Sequence, residues 1–393
     1  MRDLCDSQIK RSSAFGIYIH WPFCLSKCPY CDFNSAAIGS SSLKIEQYLW
    51  LSACRDDLTL QAALTPGRTV TSIFFGGGSP SLMEPATVGA ILDHIATLWP
   101  IAASVETTLE ANPTSVEATR FSAYRAAGIN RLSLGMQALD DDALKRLGRG
   151  HDAAEAERAL TLAQRHFPRV SADIIYARPD QTAAAWREEL DRLLAYGLDH
   201  LSAYQLTIEP GTAYHERSLR GEPLSVDDER AGELYEITQE VLEAAGLPAY
   251  EISNHARSGE ACRHNLIYWR SEEWIGVGPG AHGRITCDGR RVALWRPRSL
   301  IRWRAQIERR TSVDQEVLTP IEWRDEVVMM GLRLTEGVAR NCLPAALPEV
   351  PLRRLQEGGF LVSDSVSVRA TSVGRQRLNA VLVRLLDDQN KKG

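Results

Sequence analysis

Apolar runs of strand length recur through the first half of the chain, each followed by a longer stretch with apolar positions at helical spacing. The runs fall at 15–21 (FGIYIHW), 70–75 (VTSIFF), 104–110 (SVETTLE), 129–135 (INRLSLG), 170–176 (VSADIIY) and 199–207 (DHLSAYQLT). The spacing predicts helices over 43–64, 85–98, 115–127, 152–166, 183–196 and 228–246. Pro85 stands where a first helical turn begins, and Gly128, Gly197 and Gly246 follow helix ends. Six strand–helix alternations predict an α/β fold with a parallel sheet and helices outside it. A closed or partly closed βα barrel and a doubly wound sheet all satisfy this pattern. The partial (β/α)6 barrel is the expectation over 15–210, with an α+β extension to about 310.

Residues 208–300 are less regular, with several Gly and Pro. Beyond 318, TPIEWRDEVVMMGLRL reads as a helix and VPLRRLQE (350–357) as another. GGFLVSDSVSVRATS reads as a short hairpin and 373–388 as a last helix. This order resembles a winged-helix module; a packing appendage is the plainer reading. The expected division is an N-terminal tail at 1–14, a core with its extension at 15–310, and a small C-terminal winged-helix-like domain at 311–393.

The chain has 393 residues, 44% of them hydrophobic, enough for one large core and a smaller one. Net charge is -5 and no Lys/Arg-rich stripe appears, so nucleic acid is not an expected partner. MRDLCDSQIK lacks an apolar signal core, and no apolar run reaches the ~18 residues of a spanning helix. A soluble cytoplasmic protein is expected. Its eight cysteines should then be reduced. Cys5, Cys54, Cys262, Cys287 and Cys342 are scattered and read as ordinary thiols.

The other three lie together where the first strand runs into HWPFCLSKCPYCDF. Structural zinc takes four protein ligands, usually as paired short spacings, and Phe33 occupies the place of a fourth thiol. Three thiolates in one loop suit an iron–sulfur cubane with one iron left open to a chelating ligand. The spacing CxxxCxxC resembles the signature of the radical S-adenosylmethionine (SAM) superfamily. Tyr18, His20, Pro22, Phe23, Lys27, Tyr30, Asp32 and Phe33 are similar to the opening of the oxygen-independent coproporphyrinogen III oxidase-like family. They are most similar to its heme chaperone branch, and the resemblance runs from about residue 15 to the end. It implies a [4Fe–4S] cluster on Cys24, Cys28 and Cys31, with SAM completing the fourth iron.

Unusual residues fall at the carboxyl ends of the strands, where βα barrels gather chemistry. Gly76-Gly77-Gly78-Ser79-Pro80 lets backbone approach a ligand and offers N–H groups to a carboxylate, or makes a tight turn. It resembles the family's GGGTP motif, which contacts the amino end of SAM. Glu110 is a carboxylate in an apolar strand and needs a partner. Gln137 can both donate and accept, and Arg149 has a fork suited to a carboxylate. Asp173 sits between apolar neighbours. The resemblance implies SAM contacts at Tyr18, Tyr30, Gly77, Gly78, Ser79, Glu110, Gln137, Arg149, Asp173 and Ala203, with Asp173 on the ribose hydroxyls. His151 reads as a supporting residue. The family's DLIYGLPGQT is DIIYARPDQT here, so two glycines are replaced by Ala177 and Asp180.

Further on, HNLIYW (264–269) resembles the HNxxYW motif associated with heme in the heme chaperone branch. It brings in His264, Tyr268 and Trp269 as heme contacts, although a lone His there reads as well as a packed one. WIGVGPGAHG (274–283) resembles a glycine-rich return loop. The dehydrogenases of the family carry a fourth cysteine at the place of Phe33, and an N-terminal extension longer than the 23 residues before Cys24. The resemblance therefore implies a heme chaperone with a [4Fe–4S] cluster, SAM and heme. Recipient hemoproteins would be its partners, the membrane surface one candidate place of hand-over, and the state a monomer or homodimer. An oxygen-independent coproporphyrinogen III dehydrogenase is the alternative.

Overall fold

The computed structural model describes residues 14–386. Six strands form where the apolar runs predict them: β1 (Phe15–Trp21), β2 (Val70–Gly77), β3 (Ile101–Ala111), β4 (Arg131–Gln137), β5 (Arg169–Tyr176) and β6 (His200–Gln205). Five further strands follow: β7 (Asn254–Ala256), β8 (Glu273–Val277), β9 (His282–Cys287), β10 (Arg290–Trp295) and β11 (Asp314–Val317). All eleven join one sheet in the order β11-β10-β9-β8-β1-β2-β3-β4-β5-β6-β7. From β8 to β6 every pairing is parallel. Both edges are antiparallel extensions, β7 beside β6 and β9 to β11 beyond β8. The order ends on different strands at its two edges, so the barrel is partial and not closed; the alternation alone leaves a doubly wound sheet equally open.

The parallel register sorts residues onto two faces, because strand side chains alternate. Ile17, Ile19, Ile73, Phe75, Leu109, Leu132, Leu134, Ala172, Ile174 and Leu201 are buried in the main hydrophobic core. Each Ile, Leu or Phe side chain among them contributes about 1.5–3 kcal/mol on burial. The opposite face is polar. Tyr18 pairs across to Phe74, Glu110 to Ser133, Gly135 to Asp173, and Asp173 to Ser202. Glu110, Ser133, Asp173, Ser202 and Tyr204 therefore share one side of the sheet near its carboxyl end.

The helices follow their local signals. Pro85 opens Pro85–Leu98, and a capping box of Asp152 and Glu155 opens Ala153–His166. Gly128 takes φ +114°, the left-handed conformation that ends Phe121–Ala127. The stretch 115–127 divides into Ser115–Ala118 and Phe121–Ala127, and the last helix divides at Arg377 into Ser372–Gln376 and Leu378–Leu386. The remainder of 373–388 lies outside the described residues. Helices Pro320–Gly331 and Glu349–Glu357 pack with a three-stranded sheet around Val328, Leu332, Leu355, Val368 and Leu385 as a second core. No helix among the described residues is long and apolar enough to cross a membrane.

The loop after β5 keeps a glycine-type backbone without its glycines. Ala177 and Asp180 both have φ +61°. Ala177 is also buried in the main core. A left-handed residue with a Cβ costs about 1–2 kcal/mol. Ala177→Gly would relieve that strain but lose a buried methyl and constrain the unfolded chain less, so its net effect should stay within about 1 kcal/mol. Ala177→Val adds β-branching that φ above zero excludes, and should cost more than about 3 kcal/mol. Denaturant unfolding of the pair measures this asymmetry.

Candidate functional site: the cysteine mouth of the barrel

β1 delivers the chain to the carboxyl end of the sheet, and the cysteine loop begins as it leaves. Phe23–Cys24 pairs with Ala36–Ala37, closing the loop at its base. Inside it Cys31 N–H donates to the Cys28 carbonyl at 3.1 Å. Three neighbouring segments pin the loop from outside. Asn34 Nδ2 donates to the carbonyls of Pro279 and Arg298, both at 2.9 Å, which ties the glycine-rich return loop to it. Tyr214 N–H donates to the Pro29 carbonyl at 2.8 Å, and the Tyr214 ring packs edge-on against Tyr30. A Cβ on Gly148, at φ +70°, would stand 2.6 Å from Pro29 Cδ. The LGRG turn can therefore lie on the loop only as glycine.

The glycine run of β2 packs even closer. A Cβ on Gly77 would lie 2.7 Å from the His20 ring, and one on Gly78 would lie 2.6 Å from the Phe23 carbonyl and 3.0 Å from Cys24 Sγ. Its N–H groups are spent internally. Gly77 N–H donates to Glu110 Oε2 at 3.2 Å, Gly78 N–H to the Trp21 carbonyl at 2.7 Å, and Ser79 N–H to the Phe23 carbonyl at 2.8 Å. This corrects the expectation that the run offers N–H groups to a ligand carboxylate. A contact with the amino end of a ligand, as the resemblance implies, needs acceptors and does not compete with these bonds.

Two carboxylates face the mouth. Loss of water raises the Glu110 pKa to about 8, the Asp173 charge adding to the effect while Gly77 N–H and Arg131 oppose it. Asp173 is likewise raised by burial, against hydroxyl bonds from Ser202, Ser133 and Ser171. Ser133 Oγ donates to its two oxygens at 3.2 and 2.9 Å. Both acids keep some exposed surface, so they are recessed but open. Acids whose pKa values are displaced by burial and by a neighbouring charge cluster at functional sites.

Arg149 and Gln137 meet above Gly135. A Cβ there would lie 2.8 Å from Gln137 Nε2 and 3.7 Å from Arg149 Nη2. Gln137 sits in the left-handed region at φ +68°, on a bulge between β4 and β5. Arg149 Nη1 donates to Cys28 Sγ at 3.4 Å, and Nη2 to Asn112 Oδ1 at 2.7 Å and the Gly135 carbonyl at 3.2 Å. Its Nε is buried without a partner. His151 supports this turn, its Nε2 bonded to the Met136 carbonyl at 3.1 Å, and burial lowers its pKa to about 4.

The mouth thus brings together Tyr18, Tyr30, Gly77, Gly78, Ser79, Glu110, Gln137, Arg149 and Asp173 around the cysteine loop. Ala203 differs: alternation turns its methyl into the main core, so Tyr204, not Ala203, shares the polar face with Asp173. Only the backbone of Ala203 could meet a ligand. Ser133 and Ser171 stand within the predicted strands and Asn112 two residues after the third, with no sequence signal that assigns them a role. Glu117 had no local mark at all.

His264 lies beside Tyr18, ring centroids 6.4 Å apart, toward the start of β2 where Ser72 stands. It is buried on the short helix Arg263–Trp269. Its Nδ1 bonds Ser72 Oγ at 2.8 Å and its Nε2 bonds Tyr268 Oη at 2.8 Å. The ring stacks on Phe74 at 5.1 Å, and burial drives its pKa down to about 3. Arg333 covers the Trp269 ring at 4.5 Å. An imidazole held on both nitrogens has none left for iron, so the packed reading describes His264 as it stands. Among the described residues no three His, Cys, Asp or Glu side chains are grouped as a single metal ion would need. A four-iron cubane takes each thiolate on a different iron and asks for no common centre.

A parallel partial barrel with a CxxxCxxC loop at its carboxyl mouth defines a class, and comparison with known proteins places the chain in it. The radical SAM superfamily model matches residues 18–194. The mitochondrial radical S-adenosyl methionine domain-containing protein 1 of Bos taurus is 37% identical over 95% of this chain and 88% of its own length. The heme chaperone HemW of Escherichia coli (strain K12) is 42% identical over 70% of this chain and 71% of its own length. Among solved structures, Escherichia coli coproporphyrinogen III oxidase (HemN), a radical SAM enzyme, matches with a TM-score of 0.80. That match covers 96% of this chain and 91% of that one at 20% identity, a likeness of fold. The chain belongs to the radical SAM superfamily and, within it, to the family of the heme chaperone HemW proteins.

Proposed function

We propose that this protein is a heme chaperone that holds a [4Fe–4S] cluster on Cys24, Cys28 and Cys31, binds SAM beside it, and binds heme for delivery to respiratory hemoproteins. The donor set fits the cluster: three thiols on one pinned loop, with no fourth beside them among the described residues, and Phe33 at the place where the dehydrogenases carry one. The mouth fits SAM: two recessed carboxylates suit a cationic ligand, and the unpartnered Arg149 Nε marks a guanidinium with donor capacity to spare. A bound cluster supplies one electron at a time to a ligand on its open iron. The chain's own residues orient and desolvate. Glu110 and Gly77 frame the amino end of the ligand, and Asp173, steadied by Ser133, accepts the ribose hydroxyls. Tyr30 shields the loop, and Tyr18 lines the barrel beside Gly76.

The observation that carries the chaperone reading over the dehydrogenase is Phe33. It is 55% exposed at the position of the dehydrogenases' fourth cysteine, and no thiol can act there. The sequence similarity to HemW supports the same choice, while the fold shared with HemN leaves it open. The test is transfer. Heme-loaded protein mixed with an apo-hemoprotein should convert it to the holo spectrum faster than free heme at the same concentration. A rate equal to that of free heme would defeat the reading.

Heme iron is then ligated by a residue other than His264. His264→Ala should lower stability by about 3 kcal/mol through the lost ring and the two unsatisfied hydroxyls. Heme stoichiometry by titration should not change. Loss of heme with unaltered melting would reverse this assignment.

A further inference from the structure

The bonds around Arg149 form an ordered chain of constraints that ends in a buried acid. Glu117 is 5% exposed on the short helix Ser115–Ala118. As a carboxylate it accepts from Ser81 Oγ, Asn112 N–H at 3.2 Å and Asn112 Nδ2 at 3.3 Å, bonds that with the Arg149 charge oppose the upward push of burial on its pKa. Ser81 Oγ in turn accepts from Asn112 N–H at 3.2 Å. The acid therefore fixes which way the Asn112 amide points. With Nδ2 committed to Glu117, Oδ1 must face the other way, where it accepts from Arg149 Nη2 at 2.7 Å. The same guanidinium then places Nη1 against Cys28 Sγ at 3.4 Å. A planar fork fixed at Nη2 by two acceptors, Asn112 Oδ1 and the Gly135 carbonyl, has little freedom left at Nη1.

We propose that Glu117, Asn112 and Ser81 form a positioning brace that holds the Arg149 guanidinium on the Cys28 thiolate and thereby sets the reduction potential of the cluster. This rests on the cluster reading above. A hydrogen bond and a positive charge at a cluster thiolate favour the reduced core, which carries one more negative charge. Loosening the brace should make reduction harder. The step is one electron from an external reductant such as dithionite into the cubane, with no bond made or broken.

The test is a redox titration of anaerobically reconstituted, SAM-free protein, followed by the electron paramagnetic resonance signal of the reduced cluster. Asn112→Ala and Glu117→Gln keep all three cysteines and should bind as much iron and sulfide as wild type. Each should be reduced about tenfold less favourably, a shift of about 59 mV to more negative potential. Arg149→Lys keeps a charge but loses the fork, and should shift the same way. Adding Glu117→Gln to Arg149→Lys should then move the potential no further, because the brace has nothing left to hold. A merely structural role would not produce that non-additivity. If Glu117→Gln melts early, Asn112→Ala carries the test, since Glu117 keeps its Ser81 bond. Unchanged potentials in folded variants with full clusters, or additive shifts, would overturn the brace. Wild-type protein that takes up no iron would instead overturn the cluster reading itself.

Discussion

Cys28→Ala should abolish the brown absorbance of anaerobically reconstituted protein and leave its iron and sulfide at background. Two thiolates remain in the loop, one fewer than the three that the cluster takes from this chain. The fold should survive. Cys28 is half-buried, and the loop keeps its backbone bonds to Ala36 and Tyr214. Melting should change little. Cys54→Ala is the matching control. Cys54 is fully buried in the main core, so its loss should cost about 1–2 kcal/mol of stability and no iron. Full iron in Cys28→Ala would refute the three-cysteine site.

Glu110→Gln should stabilise the ligand-free protein and cost it SAM. The folded Glu110 holds its proton up to about pH 8, well above its unfolded value of 4.5. A group raised in this way contributes stability that is complete below the unfolded value and lost as pH climbs through the folded one. Glutamine never ionises. The variant's advantage should therefore grow between about pH 4.5 and pH 8 and level off above. A tenfold change in proton affinity corresponds to about 1.4 kcal/mol, and the solvent left at the mouth trims the gain to about 2 kcal/mol at pH 8. A cationic ligand reverses the balance, since it gives the ionised acid a partner. SAM affinity of wild type should rise with pH towards about 8, and the variant should bind about 10–100-fold more weakly. Equilibrium dialysis and urea unfolding at three pH values measure both halves. A variant that binds SAM as well as wild type would remove Glu110 from the site.

The parallel sheet was legible because each strand repeats with period two and each helix with period 3.6, both local signals. β1 to β6 fall where the apolar runs place them, and the strand-end motifs converge because parallel strands end on one side. What escaped was tertiary. The glycine run announces close approach but not to what, and its partners are His20, Phe23 and Cys24, more than fifty residues away. Ala203 and Tyr204 stand side by side in the sequence, and only the register decides which one faces Asp173. HNLIYW looks the same whether His264 is open or sealed; Ser72 and Phe74 on β2 seal it. Glu117 reads as an ordinary first-turn acid until the turn after β2 brings Ser81 against it.

The dehydrogenase alternative makes the sharpest single measurement. Protein of verified cluster content is incubated anaerobically with SAM, dithionite and coproporphyrinogen III, and the mixture is chromatographed for protoporphyrinogen IX. The chaperone account predicts none above the cluster-free Cys28→Ala control. Protoporphyrinogen accumulating with time in the wild type alone would contradict it and assign the chain a dehydrogenase activity that does not need a thiol at Phe33.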